Sequence, residues 1–116
     1  MNSESDEAIA VFVTSANSIE AVQLAEVLVN KRLAACVQIL PEMESIYSWQ
    51  GKVERQREVL LIAKTLKSKF SDLETEVRAI HSYETPEVVA VPLTAGSTAY
   101  LEWLSASVSD PAQTPT

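Results

Sequence analysis

The stretch Val59-Leu60-Leu61-Ile62-Ala63 is apolar at every position, yet it continues without a break from the polar run Lys52 to Glu58. Successive side chains of a strand point to opposite faces of its sheet, so Val59, Leu61 and Ala63 line one face while Leu60 and Ile62 line the other. Glu87 to Leu93 repeats the pattern, with Val88 and Ala90 in one row and Val89 and Val91 in the other. A sheet that faces water on one side carries a polar row there. The chain is therefore expected to form a sheet covered on both faces, and its 116 residues are enough for one domain with one core.

The remaining elements follow from period and punctuation. Ala8 to Val13 is a short apolar, β-branched run that reads as the first strand. Asn17-Ser18-Ile19-Glu20 has capping-box spacing, Asn17 bonding forward and Glu20 reaching back, and opens a helix running to about Arg32. Its apolar face is expected to hold Ile19, Val22, Leu24, Ala25, Leu28 and Val29. Leu33 to Leu40 then changes to period two, with Leu33, Ala35, Val37 and Ile39 in one row and Ala34, Cys36, Gln38 and Leu40 in the other. Pro41 has no N–H for a ladder and should bend or bulge this strand, which resumes at Ser45-Ile46-Tyr47-Ser48-Trp49 and turns at Gln50-Gly51. Ser71 to Glu74 offers a second capping box for a helix carrying Phe70, Leu73, Val77 and Ile80 and ending near His81. Gly96-Ser97 precedes a last helix with Tyr100, Leu101, Leu104 and Val108 on one side. The order β-α-β-β-α-β-α gives an α+β fold, a ferredoxin-like βαββαβ sandwich with a long β-hairpin arm and a C-terminal helix. Residues 1–7 and 110–116 are expected to be flexible tails around a domain of residues 8–109.

The arm argues for self-association. Two strands of about 15 residues extend about 50 Å, whereas a helix of about 15 residues covers only about 22 Å, so the hairpin overhangs its own helices. The overhang carries Met43, Ile46, Tyr47, Trp49 and Val53, and such a patch marks a protein contact. Together with Leu60 and Ile62 on the second sheet face, Met43, Ile46, Tyr47 and Trp49 form the expected oligomer interface. The alternative is that Pro41 ends the strand and residues 42–54 fold back over the core as a loop.

Composition narrows the partners. Acidic residues outnumber basic ones 16 to 9, a net charge of -7, and no segment concentrates Lys and Arg as a nucleic-acid partner requires. The longest apolar runs fall far short of the roughly 20 residues that cross a bilayer, and the acidic start Met1 to Glu7 is unlike a secretory signal, so a cytoplasmic location is expected. With Cys36 as the sole cysteine there is no intrachain disulfide and no paired-cysteine metal motif. Two glycines, Gly51 and Gly96, exclude a glycine-rich phosphate loop, and no nucleophile elbow or paired acid-base signature occurs, so a non-enzymatic protein is expected.

Five stretches carry a resemblance to a known family over about residues 8–108: Arg32-Leu33-Ala34-Ala35-Cys36-Val37, Ser45 to Gly51, Glu58 to Thr65, His81-Ser82-Tyr83-Glu84-Thr85-Pro86-Glu87, and Tyr100-Leu101-Glu102-Trp103-Leu104. In order and spacing they resemble the CutA family of divalent-cation tolerance proteins. The resemblance implies a tightly packed homotrimer, similar in architecture to the PII nitrogen-signalling regulators, linked to tolerance of copper and other divalent metals. The chain departs from the family pattern where Ser82 stands in place of the usual proline.

On that footing Cys36, His81 and Glu84 are the candidate metal ligands, for copper or another divalent metal held weakly or at subunit interfaces. Thiolate and imidazole suit copper and zinc. Each also has a plainer role: a lone cysteine fills core space, a histidine in the last turn of a helix caps carbonyls, and Glu84 and Glu87 flank an ordinary connection at Thr85-Pro86. Tyr47, Trp49 and Trp103 read as packing anchors, and Arg32 and Lys64 as solvated or interface charges. The other functional class left open is a PII-like trimeric signalling or scaffold module that takes a small ligand or protein partner in clefts between subunits.

Overall fold

The computed structural model describes residues 6–109; of the tails expected at 1–7 and 110–116, residues 1–5 and 110–116 lie outside it. Its elements are β1 (Ala8–Ser15), α1 (Ser18–Asn30), β2 (Cys36–Trp49), β3 (Lys52–Leu66), α2 (Phe70–Ile80), β4 (Val88–Pro92) and α3 (Thr98–Ser107). The strands form one antiparallel sheet in the order β2-β3-β1-β4. This is the expected α+β, ferredoxin-like arrangement.

Register explains the two apolar rows of β3. Val11 pairs with Ala63 and Ala90, and Val13 with Leu61 and Val88, placing these residues on the face that α1 and α2 cover. Ala21, Leu24 and Leu28 of α1 and Leu73 and Val77 of α2 complete that core. Each fully buried leucine there contributes about 1.5–3 kcal/mol. The opposite row pairs Phe12 with Ile62 and Val89, Ala10 with Val91, and Leu40 with Leu60. Among the described residues one end of this second face is covered by Leu104 and Val108, in and just after α3, which pack on Ala8, Ala35 and Leu66, and the other by Tyr83, which reaches Glu58. Leu60, Ile62 and Phe12 remain half-buried, and Leu40, Val89 and Val91 are exposed.

Helix boundaries depart from expectation for local reasons. Asn17 does cap α1, its side chain accepting from the Glu20 N–H at 2.8 Å. The apolar face is rotated, however: Ala21, Leu24 and Leu28 are buried, while Ile19, Val22 and Val29 stand 75, 44 and 43% exposed. α1 ends in a Schellman motif, with the N–H of Leu33 bonded to Leu28 O and that of Arg32 to Val29 O. Arg32 takes the left-handed position, φ 58°. That closure buries Leu33, Ala34 and Ala35 in the turn, so β2 starts at Cys36 and not at Leu33. Ser71 does not cap α2, because a 3-10 turn over Lys67–Lys69 runs directly into the helix and leaves Ser71 inside it. Asp6 and Glu7 are also tied down, Asp6 accepting from the N–H and hydroxyl of Ser68 and Glu7 O from the Lys67 N–H.

The arm is continuous. Strands of 14 and 15 residues give a molecule 51 Å long, and residues 42–54 are not a folded-back loop. Pro41 produces the expected bulge: Leu40 pairs with Leu60 and Met43 with Glu58, so Pro41 and Glu42 together oppose Val59. Gln50 and Gly51, at φ 51° and 80°, form a two-residue turn of the type that suits hairpin twist. Gly51→Ala is expected to lower stability by about 1 kcal/mol and Gln50→Asn to raise it by a few tenths, because only the latter favours positive φ. Urea midpoints of the two variants would check this.

Candidate functional site

The expected ligands lie at opposite ends of the sheet. Cys36, at the start of β2, sits directly across from Lys64, with Tyr100 of α3 beside both. The thiol lies 3.6 Å from the Tyr100 hydroxyl, and the Lys64 ammonium 5.7 Å from the centre of the Tyr100 ring. The hydrogen bond to Cys36, then burial, raises the Tyr100 phenol above its ordinary range. Trp103 stacks at a tilt on Tyr100, 5.5 Å between ring centres, and is half exposed. Cys36 itself is half-buried.

His81 occupies the other end. It follows α2 and is buried, with its Nδ1 accepting from the Tyr83 N–H at 3.0 Å and its Nε2 donating to Thr14 O. Both ring nitrogens are thus in use, and the bond goes to a strand carbonyl and not back to the helix. The separation from Cys36 follows from register: Thr14 pairs with Leu60 and Cys36 with Lys64, a difference of four residues, or about 13 Å along the strands. Glu84 is exposed on the α2–β4 connection. Among the described residues no three His, Cys, Asp or Glu side chains lie close enough to share a metal ion. The candidate ligands of one chain therefore do not fit a closed metal site.

A hydrogen-bonded chain of polar groups surrounds His81 instead. Glu20, 8% exposed, accepts from Ser15 Oγ at 2.6 Å, from the Ala16 N–H at 3.3 Å and from the Ser82 N–H at 2.8 Å. Burial pushes this carboxyl upward, but the donors of Ser15, Ser82 and Ala16 together outweigh it and bring it from 4.5 down to about 2. Tyr83 crosses to the second sheet face, where its hydroxyl donates to Glu58 Oε2 at 2.8 Å and accepts from Gln56 Nε2 at 2.9 Å. Tyr47 of the arm donates to Gln56 Oε1 at 2.9 Å. Burial first, then the bond and charge of Glu58, raises the Tyr83 phenol. Tyr47, expected as an interface anchor, thus has a bond within its own chain and is still 40% exposed. Ile46 and Trp49 are 58 and 60% exposed, and Met43 half-buried.

Sequence reasoning missed Glu20 as a clasp and Glu58 altogether. The signal for Glu58 was available: it is the charge directly before Leu60 and Ile62 on their row of β3, where the polar half of the strand gives way to the apolar half. Glu20 left no such signal, because its donors at Ser15 and Ser82 are 67 residues apart and meet only in the fold. A groove of about 590 Å³ also runs beside β4, walled by Ile9, Phe70, Val88, Ala90 and Pro92, with Lys67 at its rim.

Residues 9–107 match the CutA1 divalent ion tolerance protein family. The chain is 48% identical over 99 residues to the chloroplastic protein CutA of Arabidopsis thaliana, covering 85% of this chain and 54% of that protein. It is 45% identical over 104 residues to protein CutA of Homo sapiens, covering 87% of this chain and 58% of that one. It thus spans little more than half the length of these relatives. The structure of the divalent cation tolerance protein of Thermus thermophilus superposes with a TM-score of 0.85 at 42% identity, covering 86% of this chain and 97% of that one.

The shift of Glu20 has a measurable consequence. Its folded value lies below the unfolded one of 4.5, so its stabilisation is full above about pH 4.5 and drains away as pH falls toward 2. Glu20→Gln should remove about 3 kcal/mol of this dependence, giving a flatter stability curve than the parent chain between pH 4.5 and 2 by urea unfolding.

Proposed function

The chain belongs to the CutA1 divalent ion tolerance family, and on that footing we propose that it works as a non-enzymatic homotrimer in the tolerance of copper or other divalent metals. One observation carries the self-assembly: among the described residues no helix closes over the apolar row of Phe12, Leu40, Leu60, Ile62, Val89 and Val91, and Leu40, Val89 and Val91 stand exposed on it. An isolated sheet face of this kind would carry polar side chains. The overhanging arm supports the same reading, since Ile46, Trp49 and Val53 stand 58, 60 and 76% exposed. A second copy supplies both a cover for the sheet and a seat for the arm.

Metal is taken weakly in this reading. Cys36 is the ligand nearest to availability, its thiol held only by the long contact with Tyr100. Its remaining ligands come from water or from a neighbouring copy, because a single thiol does not close a four-ligand site. His81 serves structure first, since metal at either ring nitrogen would displace a bond to Thr14 or Tyr83. A second reading, an assembly that takes a small ligand between copies, has the groove beside β4 in its favour. A metabolite that raised the melting temperature with chelator present would support it.

Light scattering on dilute protein with a chelator should give a mass of three chains, and Leu60→Lys or Ile62→Lys should reduce it; a parent chain that stayed monomeric would remove the proposal. Titration with zinc or copper should show Cys36→Ala weakening binding by about tenfold or more. His81→Ala should instead lower stability by about 2 kcal/mol with a smaller effect on binding. Unchanged metal affinity in Cys36→Ala would end the role given to that thiol.

A further inference from the structure

The geometry points to Tyr83 as a latch that fixes the direction of the arm and so presents it, already aimed, to a second copy; the second half of this inference rests on the self-assembly proposed above. Three features coincide at one level of the sheet. Ser15↔Val59 is the last pair that joins β3 to β1. The bulge of Pro41 and Glu42 lies opposite that same Val59 and interrupts the pairing of β2 with β3. Glu58 and Gln56, the next two residues of β3 on the second face, are the partners of the Tyr83 hydroxyl, at 2.8 and 2.9 Å. The arm thus begins where β3 loses one neighbour and its ladder to the other is broken, the place where a two-stranded ribbon bends most easily.

Among the described residues neither apolar cluster includes a member of 42–58, and the side-chain hydrogen bonds that cross from the body to that segment are the two of Tyr83. The ion pairs Arg57–Glu42 and Arg55–Glu44 join β2 to β3 within the arm and are exposed, so they contribute little to its direction. Tyr83 suits the task because its own backbone is tied to the body: its N–H bonds His81 Nδ1, and the N–H of Ser82 before it bonds the buried Glu20 carboxylate. Gln56 passes the hold across to β2 through Tyr47. An arm that swung about the bulge would offer Ile46, Trp49 and Val53 at many angles. A second copy would then bind only the fraction that fits, and the apparent affinity would fall by that fraction. Tyr83 is in this sense a positioning residue, acting on the contact through the arm.

Hydrogen exchange on Tyr83→Phe, which keeps the ring and loses only the hydroxyl, tests the latch, with parent and variant compared at concentrations that give them equal mass by light scattering. The amides of residues 43–58 should exchange about tenfold faster or more, while those of β1 and of residues 60–66 keep their rates; a general loss of stability would speed both sets alike. Gln56→Ala should act in the same direction, and the double variant should add little. Arg57→Gln, which removes an exposed ion pair, should stay within about twofold of the parent. Sedimentation should then show Tyr83→Phe weakening assembly by about tenfold. Arm exchange that is unchanged in Tyr83→Phe, or that rises no more than exchange in the body, overturns the latch. Faster arm exchange with unaltered assembly overturns its part in presenting the arm. A parent protein that is monomeric at every concentration refutes the self-assembly reading instead, so the failures are told apart.

Discussion

The length of β3 governs this molecule. Its upper half is paired on both sides, with β1 from Ser15↔Val59 to Ala8↔Leu66 and with β2. From Glu58 down to Lys52 it has β2 alone. A two-stranded ribbon is marginal in water, so the free half depends on whatever holds its root. That root is where the polar chain gathers: Tyr83 reaches from the α2–β4 connection to Glu58 and Gln56, Gln56 reaches to Tyr47, and Glu20 holds Ser82 from the N-terminal turn of α1. The clasp thus joins both helices, β1 and the arm at the point where the helix layer stops.

This placement accounts for the burial of two carboxylates that a packed interior would not otherwise admit. Glu20 is buried because three donors converge on it; Glu58 is buried because the connection folds over it. The first is complete within the chain and behaves as structure. The second has a single donor among the described residues and borders the bare apolar row, so its carboxylate keeps unused acceptor sites beside that face. The same division runs through the aromatic residues: Tyr83 is held within the chain, while Trp49 and Trp103 are left outward.

Much of this was legible in the sequence. Strand periodicity placed Val59, Leu61 and Ala63 opposite Leu60 and Ile62, and Pro41 and Gly51 marked the bulge and the turn. The reading failed where geometry overrode local pattern. Ile19, Val22 and Val29 fit a helical period as well as Ala21, Leu24 and Leu28, and only the angle at which α1 meets the sheet decides which stripe is buried. The strand start moved because a residue other than glycine, Arg32, accepts a left-handed conformation; its guanidinium also reaches the carbonyls of Ser107 and Ser109 after α3. Cys36 and His81 looked like a pair on ligand chemistry alone, but register separates them.

The bulge at Pro41 and Glu42 bears on a different hazard. β2 is an edge strand of 14 residues, and a long flat edge is a template for indiscriminate strand addition and fibril growth. Pro41 removes one donor from that edge, and Glu42 at φ 58° kinks the backbone beside it. The edge is thereby divided into two short ladders that a single straight strand cannot follow. A chain with so long an open edge has, in these two residues, a guard against strand addition without limit.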